Sequence, residues 1–159
     1  MSSQAKRLSN LFVRGRRLHW QNAQKIAAER FRLRLPNVTP PRVELVYRTL
    51  QLVSAIRFIQ SRAYLHGDAL DAFLSELYHA VAQKESSRID KMLEVYAACF
   101  DDEEKLADVV GLDLCHAILG KSHDQLIMAF RKSPRSIHRT TSLYCAETFR
   151  DDEMLRKLS

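Results

Sequence analysis

Residues 41–65 read PRVELVYRTLQLVSAIRFIQSRAYL, and this stretch decides the fold. Apolar residues recur at spacings of three and four rather than two, the period of a helix and not of a strand. Val43, Val46, Tyr47, Leu50 and Val53 share one face, while Leu45, Leu52, Ile56 and Ile59 share another. So broad an apolar surface needs cover on several sides. It predicts a helix over Pro41 to Leu65 at the centre of a helical bundle.

The flanking sequence repeats the helical period. Upstream, about Ser3 to Leu35, Leu8, Leu11, Phe12 and Leu18 are followed by Ala23, Ile26, Ala27 and Phe31, with Gly15 a candidate division and Pro36, Pro40 and Pro41 a firm stop. Downstream, a third helix carries Leu70, Phe73, Leu74, Leu77 and Val81 behind Asp68 as its cap, and a fourth runs from Ser87, its cap, to Phe100. The acidic run Asp101 to Glu104 opens a fifth helix, where negative charge suits the dipole, and Gly120 closes it. A short sixth helix spans about Ser122 to Arg131. Lys132 to Ser142 is basic, polar and broken by Pro134, which predicts a loop, and a final helix follows from Leu143 to Leu158.

These readings give an all-α, single-domain bundle of six or seven helices in 159 residues. Residues 1–35 form a basic N-terminal helix or arm, 36–131 the bundle core with helices two to five antiparallel, and 132–159 a basic loop and C-terminal helix.

Composition excludes several classes of protein. Four glycines, Gly15, Gly67, Gly111 and Gly120, lie too far apart for a phosphate loop, a Gly-x-Gly-x-x-Gly turn or a nucleophile elbow. The three cysteines, Cys99, Cys115 and Cys145, contain no Cys-x-x-Cys pair, so a disulfide framework is not implied and a reducing, cytoplasmic setting is expected. The longest uncharged stretch, Thr49 to Ile56, falls far short of a membrane span. No cofactor is implied.

Charge lies in blocks. The net +6 combines +11 over residues 1–62, −8 over 63–130 and +3 over 131–159. Opposite charge at two ends of a helical protein suits steering towards a partner.

Two constellations carry candidate chemistry. Glu76 with His79, and Asp113 with His116, place an acid three residues before a histidine, and Glu44 and Glu94 lie on the intervening helices. This pattern resembles helical di-metal carboxylate bundles, although Asp113 stands where that family has glutamate. At 100° per residue Glu76 and His79 turn away from their own apolar stripe and Asp113 lies near its stripe, so the alternative is that Glu76 and His79 face solvent and Asp113 is a hydrogen-bonded structural acid. Separately, His116-Ala-Ile-Leu-Gly120 is similar to the phosphorylated helix of histidine phosphotransfer bundles, but Leu119 stands where that family has lysine. Cys115 and His116 diverge by about 100° and do not form a nucleophile and base pair.

The N-terminal region holds the strongest candidate binding residues: Leu11, Phe12, Arg14, Arg16, Arg17, Leu18, Trp20, Arg30, Arg32 and Arg34. Arginine forks suit carboxylate or phosphate, and the interleaved aromatics could anchor an interface or stack a base. The expected function is non-catalytic: a helical interaction or regulatory protein that binds a protein partner or a second copy through this region. Nucleic-acid binding by the same arginines is the alternative, although the proline-rich connection after this segment does not fit a helix-turn-helix. A transit-peptide role for residues 1–29 and a merely solvated basic face compete for the same residues.

Overall fold

A computed structural model describes residues 2–159 and shows an all-α protein without strands among them. Among the described residues eight α-helices form, against the six or seven expected: α1 (Ser3–Phe31), α2 (Pro41–Ser61), α3 (Gly67–Ala82), α4 (Ser86–Cys99), α5 (Glu103–Leu119), α6 (Asp124–Phe130), α7 (Ser133–Thr148) and α8 (Asp152–Leu158). A 3-10 turn, Gln83–Glu85, joins α3 to α4.

The central position of α2 follows from its sequence. Val43, Val46, Leu50 and Val53 pack into one cluster with Trp20, Tyr96, Val110 and Leu114. On its other side Leu45, Leu52, Ala55 and Ile59 pack with Leu8, Phe12, Leu77 and Ile89. The helix thus separates two apolar clusters and touches α1, α3, α4, α5 and α7.

The predicted loop at Lys132 to Ser142 is instead the first part of α7, the most extensive neighbour of α2. Pro134 occupies the first turn, where its missing N–H breaks no helical hydrogen bond. Beyond it Ile137, Thr141, Ser142, Cys145, Ala146 and Thr148 are buried at helical spacing. Small and hydroxylated side chains form most of this stripe. They allow close packing but carry little of the hydrophobic signal by which amphipathic helices are recognised. The expected final helix is split at Arg150, whose φ of 52° ends α7 before α8 begins.

The first helix is continuous through Gly15 and packs along α7, α3 and α2 rather than projecting as an arm. A Cβ at Gly15 would lie 2.9 Å from Tyr144 Cε2 and 3.2 Å from Gln51 Nε2, so glycine here permits close approach of α1 to its neighbours. At the far end Trp20 Nε1 and Gln24 Nε2 both donate to the carbonyl of Pro36, at 3.0 and 2.9 Å, and hold the returning chain.

Several caps differ from expectation. Ser2, Asp102, His123 and Asp151 accept N-terminal hydrogen bonds for α1, α5, α6 and α8. Asp68 lies inside the first turn of α3, after His66, and Ser87 lies inside α4, after Glu85, so neither is a cap. Gly120 does close α5, with φ of 70°.

Gly111 marks the tightest contact with backbone: a Cβ there would lie 2.9 Å from the carbonyl oxygen of Ile127. Alanine gains about 1 kcal/mol of helix propensity over glycine. At Gly15 the obstructing groups are side-chain atoms that can shift, whereas at Gly111 the obstruction is main chain. Gly111→Ala is therefore expected to destabilise by a net of about 2 kcal/mol, and Gly15→Ala by clearly less. Thermal melts of the two variants check the order.

Candidate functional site

The N-terminal candidates separate into two groups once α1 is docked. Phe12 and Trp20 are 0% and 2% exposed and belong to the core, so they are not available to a partner. Arg16 is drawn inward as well. Its Nη1 donates to Gln51 Oε1 at 3.0 Å, and its Nε lies 3.9 Å from Glu44 Oε1. Arg48 shares that carboxylate at 2.7 Å, so two guanidinium groups flank one acid. Burial, reinforced by Arg48 and opposed by Glu44, lowers the pKa of Arg16 to about 10. Gln51 also donates through Nε2 to the carbonyl of Phe12 at 2.9 Å, which ties α1 to α2 at its midpoint.

The outer side of α1 keeps the rest. Lys6, Arg7, Asn10, Arg14, Arg17, Leu18 and Gln21 are exposed, and Leu11 is half-buried. Leu18 and Val13 are 51% and 46% exposed among these cations. No carboxylate forms an ion pair with Lys6, Arg7, Arg14 or Arg17 among the described residues. From Arg7 to Arg17 the row runs about 15 Å at the helical rise. A shallow groove of about 480 Å³ lies beside it, lined by Lys6, Arg7, Leu11 and Arg14, with Glu147 of α7 across from them. Arg30, Arg32 and Arg34 are exposed at the other end of α1, apart from this row.

The carboxylate and histidine candidates are not brought together. Glu76 Oε2 accepts from the backbone N–H of Ser2 at 2.9 Å, which lowers its pKa, and His79 is exposed beside Tyr78. Asp113 accepts from Tyr96 at 2.6 Å, and the adjacent burial raises the Tyr96 pKa well above its usual range. His116 is exposed in the last turn of α5, 2.8 Å from Ser122 Oγ. Glu44 is engaged by arginines, and no group of three or more potential metal ligands occurs among the described residues. Cys115 is buried and donates to the carbonyl of Lys121, away from His116, and burial raises its pKa. The buried thiol of Cys145 is raised further. Among the described residues no helix is long and apolar enough to cross a membrane.

Sequence reasoning missed His19, which sits on the inner side of α1. It is 7% exposed, and its Nε2 has no hydrogen-bond partner among the described residues.

Comparison with protein-family models, curated proteins and solved structures yields no match for this chain.

Burial first and Arg16 second lower the His19 pKa from 6.5 to about 4. Between those values the unfolded chain binds a proton at this residue and the folded protein does not. Stability from this group is therefore complete above pH 6.5 and is lost as pH falls towards 4, by up to about 3 kcal/mol. The lowered pKa of His138 adds a slope of the same sign. Melting temperatures followed from pH 7 downward should fall less for His19→Gln than for the wild-type protein.

Proposed function

We propose that this protein is a non-catalytic helical docking module that binds an acidic protein surface through the outer side of α1. The observation that carries this reading is the row of Lys6, Arg7, Arg14 and Arg17, without ion-pair partners among the described residues, on a helix whose other side is locked into the core. A helix backbone already held by the core needs no ordering on binding, so opposite charge on it can steer and orient a partner. Val13 borders the row on one side, and Leu18 with half-buried Leu11 on the other, and they supply apolar contact at its edges.

The same features favour protein over nucleic acid. Burial of Phe12 and Trp20 removes the aromatics that base stacking would use. Exposed leucine and valine beside arginines suit a partner with its own apolar spot, which a phosphate backbone lacks. Residues 63–130, with their −8 charge, make a second copy of this chain an occupant of suitable sign.

The test uses the full chain immobilised in nuclease-treated cell extract, together with sedimentation of the protein alone. The expected result is capture of one acidic protein, or self-association, that weakens as ionic strength rises. The double reversal Arg14→Glu with Arg17→Glu should cut affinity about tenfold or more. It should change folding stability by only about 0.5 kcal/mol, because both side chains are exposed. Binding that survives the reversal, or a complex that forms only when nucleic acid is present, overturns the proposal.

A further inference from the structure

A cavity of about 350 Å³ lies between α1, the end of α6 and the start of α7. This volume falls within the range of small-molecule sites. Tyr47, Phe130 and Ile137 give it an apolar and aromatic wall. Lys25, Arg30 and Lys132 also line it, against one carboxylate, Glu29. None of these three cations makes an ion pair among the described residues. The excess of positive charge is therefore available to a ligand.

The sixteen-residue helix α7 begins at this wall. Ser133 and Ser136 line the cavity, and no side chain caps the helix start. Pro134 has no N–H and that of Ser136 donates to the Lys132 carbonyl at 3.1 Å, so the N–H groups of Ser133 and Arg135 and the positive end of the dipole are what favour an anion.

His19 supplies an observation independent of charge. More than nine-tenths buried, it lines the same cavity, yet neither of its ring nitrogens has a hydrogen-bond partner among the described residues; Nε2 is closed to solvent, and Nδ1 is the nitrogen open to a ligand. The hydroxyl of Tyr47 reaches the main-chain carbonyl of His19, at 3.5 Å, and the Tyr47 ring stands edge-on to the imidazole at 5.7 Å. Neither contact satisfies a ring nitrogen. A buried polar atom without a partner costs free energy that a hydrogen-bonding ligand recovers.

We propose that this cavity binds a small organic phosphate bearing a ring. The phosphate sits at the start of α7 with Lys132, Lys25 and Arg30, the ring lies against Tyr47 and Phe130, and a polar ring atom meets His19. Because His19 remains neutral near pH 7, it offers both a donor and an acceptor. The site contains neither Arg14 nor Arg17, so it is independent of the docking row on α1.

The experiment titrates the full chain with adenosine monophosphate, phenyl phosphate, adenosine and inorganic phosphate, followed by calorimetry and by amide and imidazole NMR shifts. Adenosine monophosphate is expected to bind with a Kd below about 1 mM, to shift the amides of Ser133, Arg135 and Ser136, and to perturb the His19 ring. Adenosine and inorganic phosphate should each bind about tenfold more weakly or worse, since each lacks one half of the ligand. Lys132→Glu, at an exposed position, should weaken adenosine monophosphate about tenfold with an unchanged melting temperature. Arg14→Glu with Arg17→Glu should leave this affinity unaltered, whatever it does to protein docking. The proposal is overturned if neither ring phosphate binds at that level, if the shifts map to the outer side of α1, or if Lys132→Glu leaves the affinity unchanged.

Discussion

A helix that is apolar on nearly every side has to be enclosed, and the enclosure of α2 sets the form of this protein. One neighbouring helix covers only part of another's circumference, so several are required. Here α1, α3, α4, α5 and α7 share the task. The polar residues within α2 are arranged to suit such burial. Thr49 donates to the carbonyl of Leu45 at 2.7 Å, and Gln51 uses both ends of its amide to hold α1. Closeness at this point depends on Gly15, because a side chain there would meet Tyr144 and Gln51.

Docking of α1 divides the basic block of the sequence by side of the helix. Cations turned inward are consumed by structure, as Arg16 is between Gln51 and Glu44. Those turned outward make no ion pair among the described residues, since the acids concentrated in residues 63–130 lie largely on α3, α4 and α5 and only Glu147 of α7 lines the groove beside them. The +11 and −8 blocks therefore remain a real asymmetry of the folded molecule, with few internal ion pairs neutralising α1. Exposed charge of one sign on a fixed helix acts mainly through approach and orientation.

Legibility in the sequence followed the size of the buried side chains. Helices α2, α3, α4 and α5 announce themselves through Leu, Ile, Val, Phe and Tyr at helical spacing, and Gly120 marks a true helix end. The helical start of α7 was hidden because its buried stripe is largely Thr, Ser, Cys and Ala, whose burial depends on a close neighbour rather than on their own hydrophobicity. Of the candidate binding residues, Arg14, Arg17 and Leu18 are exposed, while Phe12 and Trp20 are core. Composition could not separate them. An aromatic among arginines reads alike whether it anchors a partner or its own fold.

By itself the sequence determined the class of fold, the central helix and the separation of charge along the chain. These are properties of local period and composition, because a 3.6-residue repeat fixes a helix and its apolar side without reference to distant residues. Tertiary structure alone decided which side of α1 is buried, that residues 133–148 form a principal wall of the core, and that His19, Lys132 and the start of α7 line one cavity. Each of these depends on the meeting of residues far apart in the chain, and no local pattern encodes that meeting.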